Sequence, residues 1–112
     1  MTLVALISTP HAYRRLLREI DSTVASGAIS PFPGIISDAA AKKLPYLQAV
    51  IREGLRLWPP SNGLMQKDVP IGGVTLHGHF LPAGTHMAQN LYGIGRLKNI
   101  WGEDADLFRP ER

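Results

Sequence analysis

The chain has 112 residues, 45% of them hydrophobic and 19% charged, a mixture typical of one globular domain and not of a disordered segment. It contains no cysteine, which excludes a disulfide scaffold, a cysteine-based zinc site, a thiol nucleophile and a thiolate ligand to iron within these residues. Twelve basic and nine acidic residues leave a net charge of +3, an excess too small to indicate a nucleic-acid-binding protein.

The first sixty residues have the periodicity of helices. The apolar run at residues 3–7 is far shorter than the roughly 20 residues that cross a membrane, and we interpret it as the last turns of a helix that begins before the chain. A second helix is predicted to begin at Pro10, after the N-cap Thr9, and to end near Gly27. Its apolar stripe is formed by Tyr13, Leu16, Leu17, Ile20 and Val24.

The polar side of this second helix is rich in arginine. Its three arginines, which we interpret as a solvated surface rather than a site for an acidic partner, are Arg14, Arg15 and Arg18. Arg15 is expected to pair with Glu19, four residues later on the same helix. A connector is predicted over residues 28–43, with one or two helical turns at residues 37–43.

A further helix is predicted from Pro45 to Trp58, where the following Pro-Pro pair ends it. Its apolar stripe is formed by Leu47, Val50, Ile51, Leu55 and Trp58. Glu53 and Arg56 lie three residues apart on the opposite side of this helix. By periodicity alone they form a surface ion pair, which contributes less than about 1 kcal/mol.

After residue 60 the pattern changes to strands and turns. Strands are predicted at residues 64–67, 74–76, 79–81 and 85–90. His77 and Gly78 form a tight turn between the two middle strands. The last segment, residues 92–112, is predicted to be loop-like, with one short helix before Trp101.

Several sequence motifs follow one another along the chain. They are Glu-Gly-Leu-Arg-Leu-Trp-Pro-Pro at residues 53–60, a hairpin ending in Leu-Pro-Ala-Gly-Thr at 74–85, Trp-Gly-Glu-Asp-Ala-Asp at 101–106, and Phe-Arg-Pro-Glu-Arg at 108–112. In this order they resemble the cytochrome P-450 family of haem-thiolate monooxygenases, most closely its eukaryotic members. A lone Glu-x-x-Arg is frequent by chance, whereas the ordered series is specific.

The resemblance implies an α+β fragment of the mostly helical cytochrome P-450 fold, with helices in residues 1–60 and short antiparallel strands and a meander in residues 61–112. Residues 1–112 would be a partial domain: the end of the oxygen-binding helix, the following helix, the Glu-x-x-Arg helix, the β hairpins and the Pro-Glu-Arg segment. The family's cysteine-bearing haem-ligand loop and its oxygen-activating acid and threonine are not among these residues. We therefore expect an internal fragment that contains no catalytic residue and is inactive alone.

The resemblance also assigns roles to individual residues. A structural clamp that locks the Glu-x-x-Arg helix to the meander would consist of Glu53, Arg56 and Arg112. Residues beside the haem that contact substrate would be Ser61, Asn62, Gly63, Leu64 and Met65. Lys67 falls where the family commonly has an arginine that pairs with a haem propionate, although an exposed strand lysine is an equal alternative. Gly95 and Leu97 flank Arg96 where the family usually has His-Arg-Asp, a departure expected to affect local packing.

For the complete enzyme the resemblance implies haem as cofactor, not bound specifically by this chain, and insertion of one oxygen atom of O2 into a small organic substrate. The implied partner is a redox protein such as an NADPH-dependent reductase, with no nucleic acid, and the implied location is the endoplasmic reticulum membrane. One alternative is a non-enzymatic helical interaction module that binds a partner helix through the stripe of the Pro45–Trp58 helix. Another is a zinc site formed by His77, His79 and His86.

Overall fold

A computed structural model of the chain describes residues 1–29 and 36–112. Within these ranges the elements are, in order, α1 (Thr2–Ile7), α2 (Pro10–Ala25), α3 (Asp38–Ala41), α4 (Pro45–Leu57), β1 (Met65–Asp68), β2 (Val74–Leu76), β3 (His79–Leu81), β4 (His86–Gln89), α5 (Leu91–Ile94) and α6 (Lys98–Trp101). The predicted change from helices to short antiparallel strands is confirmed. The last segment has two short helices where one was predicted, and residues 30–35 of the predicted connector lie outside the described residues.

The helix boundaries follow from local signals. Thr9 and Leu44 precede Pro10 and Pro45, and each proline occupies the first helical position, where a missing backbone N–H has no consequence. Trp58 ends α4 in a non-helical conformation, as a residue before proline should. The predicted starts of both helices, and the predicted end of α4, are confirmed.

The predicted apolar stripes are wrong in part. On α2, Ala12 and Leu16 are buried, whereas Tyr13 and Leu17 are 42% and 40% exposed. On α4 the buried face consists of Tyr46, Val50, Glu53, Gly54 and Leu57. Ile51 and Leu55, which were predicted to face the core, are exposed. The buried face of each helix is rotated from the predicted stripe, because contacts with neighbouring elements determine which side of a helix is covered.

The core lies between α1, α2 and α4. Its buried members are Leu6, Ala12, Leu16, Tyr46 and Val50, with Ile20, Leu47 and Phe108 packed against them. α1 crosses α4 closely at Gly54, where a Cβ atom would overlap the side chain of Thr2. The glycine inside α4 therefore lets α1 and α4 approach closely at this point.

α2 supports the start of α4. The Glu19 carboxylate accepts hydrogen bonds from the backbone N–H groups of Tyr46 (2.7 Å) and Leu47 (2.9 Å) in the first turn of α4. These donors have no partner inside the helix, and leaving them unsatisfied would cost more than a surface ion pair contributes. The predicted Arg15–Glu19 pair is not formed, because Glu19 caps α4 and Arg15 pairs with Glu111.

The strands form two separate antiparallel pairs. β2 pairs with β3 as predicted, with Leu76 opposite His79, and the intervening His77 and Gly78 both have positive φ (49° and 82°), as a two-residue hairpin turn requires. β1 pairs with β4, so that Lys67 lies opposite Met87. All four residues of β1 are exposed.

The molecule is elongated, with a radius of gyration of 19.6 Å and extents of 59 × 30 × 21 Å. A compact domain of this length would have a radius of gyration of about 13 Å. Within residues 1–29 and 36–112, the elements pack most extensively among α1, α2 and α4 and within the two strand pairs. Among the residues described, no helix combines the length and the apolar character that crossing a membrane requires.

Candidate functional site

Glu53 and Arg56 form a buried ion pair on α4. The Nε and Nη2 atoms of Arg56 each donate to one carboxylate oxygen of Glu53, both at 2.7 Å, and each side chain is only 5% exposed. The expectation of a surface pair is wrong, because Glu53 belongs to the buried face of the helix. A bidentate pair of this kind uses the planar geometry of arginine, which lysine lacks.

Arg56 also connects the end of α4 to the last segment of the chain. Its Nη1 atom donates to the carbonyl oxygens of Gly95 and Ala105, the latter at 2.6 Å, and its Nη2 atom donates to that of Leu107 at 3.2 Å. Its guanidinium carbon lies 5.2 Å from the centre of the Trp101 ring. One arginine therefore orders the backbone at several points between residues 95 and 107.

Arg112 contacts the same carboxylate as Arg56. Its Nε atom donates to Glu53 at 3.1 Å, and the backbone N–H of Arg109 donates to the same oxygen at 2.9 Å. The Arg112 side chain is 10% exposed. The structure thus brings Glu53, Arg56 and Arg112 together in one cluster, which we call the clamp.

Asp104 is a fourth member of the clamp that the sequence did not identify. It accepts a hydrogen bond from Arg112 Nη1 at 2.9 Å and pairs with Arg109 Nη1 at 2.7 Å. Its negative charge offsets the second arginine of the cluster. Asp104 lies in the run Glu103–Asp106, which contains three acidic residues, and only the folded position distinguishes Asp104 from the other two.

The surroundings of the clamp shift the pKa values of Glu53 and Arg112 away from neutrality. Burial acts to raise the pKa of Glu53, but hydrogen bonds from Arg56, from the Arg109 N–H group and from Arg112 outweigh it and hold that pKa below its ordinary value. Burial acts to lower the pKa of Arg112, but Asp104 and Glu53 outweigh it and raise that pKa. A general acid or base needs a pKa near the operating pH. The cluster is therefore suited to holding structure and not to proton transfer.

Hydrogen bonding in the clamp is complete. Across the part of the chain that the structure describes, no buried side-chain nitrogen or oxygen atom lacks a hydrogen-bond partner. Buried charges are tolerated in proteins under this condition, and removing one partner leaves the other with the full cost of its lost hydration.

Gly95 makes the contact between Arg56 and the last segment possible. A Cβ atom at residue 95 would overlap the carbonyl oxygen of Arg56, which is backbone and cannot rotate away. Residue 95, where the family usually has the histidine of His-Arg-Asp, is thus a glycine at a point where the backbone lies close to the backbone of Arg56. Arg96 pairs with Asp106 at 3.3 Å, and its guanidinium carbon lies 3.7 Å from the centre of the Tyr92 ring.

The residues predicted to lie beside haem and substrate occupy a different region. Those predicted to contact substrate, all of them exposed, are Ser61, Asn62, Gly63, Leu64 and Met65. Lys67 is also exposed and lines a groove of about 400 Å³ with Met65, Leu76, Met87 and neighbouring residues of β4. Among the described residues, none of these side chains forms a hydrogen bond or ion pair with the clamp.

The three histidines of the zinc hypothesis do not form a ligand set. His86 pairs with Asp68 across β1 and β4, whereas His77 and His79 belong to the other strand pair. Within the described ranges, no group of three or more histidine, cysteine, aspartate or glutamate side chains could hold a metal ion. The zinc hypothesis is therefore wrong for these residues.

Comparisons with known proteins agree on one family. The family model for cytochrome P-450 matches residues 1–112. The chain is 50% identical over 111 residues to the cytochrome P-450 monooxygenase ABA1 of Pyricularia oryzae, covering 99% of this chain and 21% of that protein. It is 50% identical over 110 residues to abl1 of Leptosphaeria maculans, also named a cytochrome P-450 monooxygenase, covering 98% of this chain and 19% of that protein. The chain thus spans about a fifth of the length of these relatives.

Replacing Glu53 by glutamine should lower the protein's free energy of unfolding by roughly 3–5 kcal/mol, because two buried arginines lose their shared counter-charge. Arg56→Leu should have a similar effect through the unpaired Glu53. Urea unfolding measures both. The control is Glu103→Gln, an exposed acid whose loss should change stability by less than about 0.5 kcal/mol. Equal unfolding midpoints for Glu53→Gln and Glu103→Gln would contradict the clamp.

Gly95→Ala should destabilise the same protein by about 1–3 kcal/mol, since the added methyl group has to displace the backbone at Arg56. Gly63→Ala is the matched control, because a Cβ atom at residue 63 meets no atom within 4 Å. Differential scanning calorimetry of the two variants compares the effects directly. If both alanine variants melt at the same temperature as the parent protein, the close approach at Gly95 has no energetic importance.

Proposed function

This chain belongs to the cytochrome P-450 family, and from that membership we propose that it is one section of a haem-dependent monooxygenase. The complete enzyme would insert one oxygen atom of O2 into a small organic substrate, with electrons from a redox partner such as an NADPH-dependent reductase. Within it, α1 would be the end of the oxygen-binding helix and α4 the Glu-x-x-Arg helix. The observation that carries the proposal is the buried clamp, which occurs in a chain that belongs to the cytochrome P-450 family.

The clamp supports a structural contribution from this section. Glu53 and Arg112 are 59 residues apart in sequence, and their contact joins α4 to the segment that ends the chain. Both groups have pKa values displaced away from neutrality, so they keep their charges under the conditions of catalysis. Their proposed role is to hold the segment after residue 95 in one conformation relative to α4. A fixed segment of this kind would position whatever it leads into.

The residues present also fit one edge of a haem. The chain contains no cysteine, so these residues do not supply a thiolate ligand. Lys67 supplies a positive charge beside Met65 and Met87, a combination suited to a propionate next to an apolar ring edge. Haem, when bound, supplies the activation of O2. In the proposal Lys67 holds a propionate, and Ser61, Asn62, Gly63, Leu64 and Met65 contact substrate.

The test is the carbon monoxide difference spectrum of the reduced full-length protein. A thiolate-type band is expected, and it should be lost in Glu53→Gln because the clamp no longer holds the segment after residue 95. A folded full-length protein without bound haem would contradict the proposal. If residues 1–112 produced alone were a soluble monomer with a sharp cooperative melt, the non-enzymatic interaction module would be favoured instead.

Lys67→Met should accelerate transfer of haem from the full-length protein to apomyoglobin, because the propionate loses its counter-charge. Lys67→Arg should keep or slow the original rate, since the guanidinium can donate two parallel hydrogen bonds. Lys43→Met, at another exposed lysine, is the control and should not change the rate. Equal rates for all four proteins would identify Lys67 as an ordinary surface residue.

A further inference from the structure

Glu111 is the neighbour of Arg112, but its side chain contacts a different part of α4. Its Oε1 atom accepts a hydrogen bond from the Tyr46 hydroxyl at 2.6 Å and lies 3.4 Å from Arg15 Nη1. Its other carboxylate oxygen lies 3.8 Å from His11 Nε2. Tyr46 is only 7% exposed, whereas the Glu111 side chain is 26% exposed, so this contact lies at the edge of the core.

The two adjacent side chains therefore hold the same face of one helix at two points. Tyr46 and Glu53 both belong to the buried face of α4 and are separated by two helical turns, roughly 10 Å along the axis. Glu111 contacts the first position and Arg112 the second. Two attachments at this separation determine both the position of the last segment along α4 and its orientation, which one attachment cannot do.

The backbone between these attachments is short and constrained. Residues 109–112 form a turn in which the Arg112 N–H group donates to the Arg109 carbonyl oxygen at 3.4 Å, and the ring of Pro110 restricts the second position. A displacement of Glu111 therefore moves Arg112 as well. A displacement of Glu111 does not move Glu53 or Arg56 in this way, because α4 itself holds these two residues together.

Tyr46 is itself held in place by α2. Arg15 stacks on its ring, with 4.5 Å from the guanidinium carbon to the ring centre, and Glu19 accepts the hydrogen bond of its backbone N–H group. Burial raises the pKa of the Tyr46 hydroxyl, and the hydrogen bond to Glu111 raises it further, so the group remains a donor. Burial acts to raise the pKa of Glu111, but the hydrogen bond from Tyr46, a backbone hydrogen bond and the nearby His11 and Arg15 together outweigh it and lower that pKa, so the acceptor remains charged.

We propose that Tyr46 and Glu111 are positioning residues for Arg112, and that their hydrogen bond sets how Arg112 meets Glu53 in the clamp. α2 contributes to this arrangement through Arg15, which contacts both Tyr46 and Glu111. This places a second polar attachment, separate from the clamp, between the core helices and the end of the chain. The spectroscopic part of the test below rests on the proposed monooxygenase function, and the unfolding part does not.

The experiment is a double-mutant cycle in the full-length protein with Tyr46→Phe and Arg112→Lys, read by urea unfolding. Tyr46→Phe alone should lower the equilibrium constant for folding about tenfold, the factor expected for a lost hydrogen bond to a charged group. In the Arg112→Lys background its effect should fall below about threefold, because the group being positioned has changed. Tyr13→Phe, at an exposed tyrosine on α2, is the control and should have no effect.

The second readout is the rate at which the reduced, carbon monoxide-bound protein loses its thiolate-type band. Tyr46→Phe should accelerate that loss, and Glu111→Gln, which keeps an acceptor oxygen for Tyr46, should lie between Tyr46→Phe and the parent protein. Additive effects of Tyr46→Phe and Arg112→Lys on unfolding would overturn the positioning role. Coupling without any thiolate-type band in the parent protein would support the positioning role while contradicting the proposed function.

Discussion

The buried carboxylate of Glu53 determines how the two parts of the chain fit together. It accepts four hydrogen bonds, two from Arg56, one from the Arg109 backbone and one from Arg112. The last segment contributes Phe108 to the hydrophobic core and buries Ala105, whereas Ile100 and Leu107 are 59% and 63% exposed. Apolar packing by Phe108 and charge-assisted hydrogen bonds together hold this segment against the helices. Because such bonds depend strongly on direction, they select one arrangement of the backbone.

At the other end of α4, a side chain of α2 accepts hydrogen bonds from the first turn of the helix. The first turn of a helix has backbone donors with no partner inside the helix, and in α4 two of them lie against α2. Glu19 satisfies both, and in doing so it does not pair with Arg15. Arg15 is then free to stack on Tyr46 and to contact Glu111. A local pairing worth a few tenths of a kcal/mol is replaced by contacts that connect α2, α4 and the end of the chain.

Charge in this chain thus has two different functions. In the clamp, the charges of Glu53, Arg56 and Arg112 are buried and paired, and they define geometry. On β1 and in residues 61–65 the polar groups are exposed, and the proposed roles of Lys67 and of the substrate-contacting residues depend on groups that would lie opposite them. An antiparallel pair of strands is marginally stable without a third strand or a covering helix. The two-stranded sheets are consequently the elements that would benefit most from further packing.

The sequence by itself determined the elements whose signals are local. Thr9-Pro10 and Pro45 start α2 and α4, Pro59-Pro60 ends α4, and His77-Gly78 makes the β2–β3 turn, because each acts on the backbone within a few residues. The ordered motifs were also sufficient to identify the family, although not to show that Glu53 is buried.

Only the tertiary structure decided which side chains meet. Helical periodicity predicted one core-facing stripe on α4, whereas the folded chain buries a different face, which contains Glu53. Asp104 became a partner of Arg112, and β1 a partner of β4, through contacts that the local sequence does not specify. Local propensity acts over one or two turns, whereas Glu53 and Arg112 are 59 residues apart. The choice of partner at such separation depends on the free energy of the whole packed arrangement.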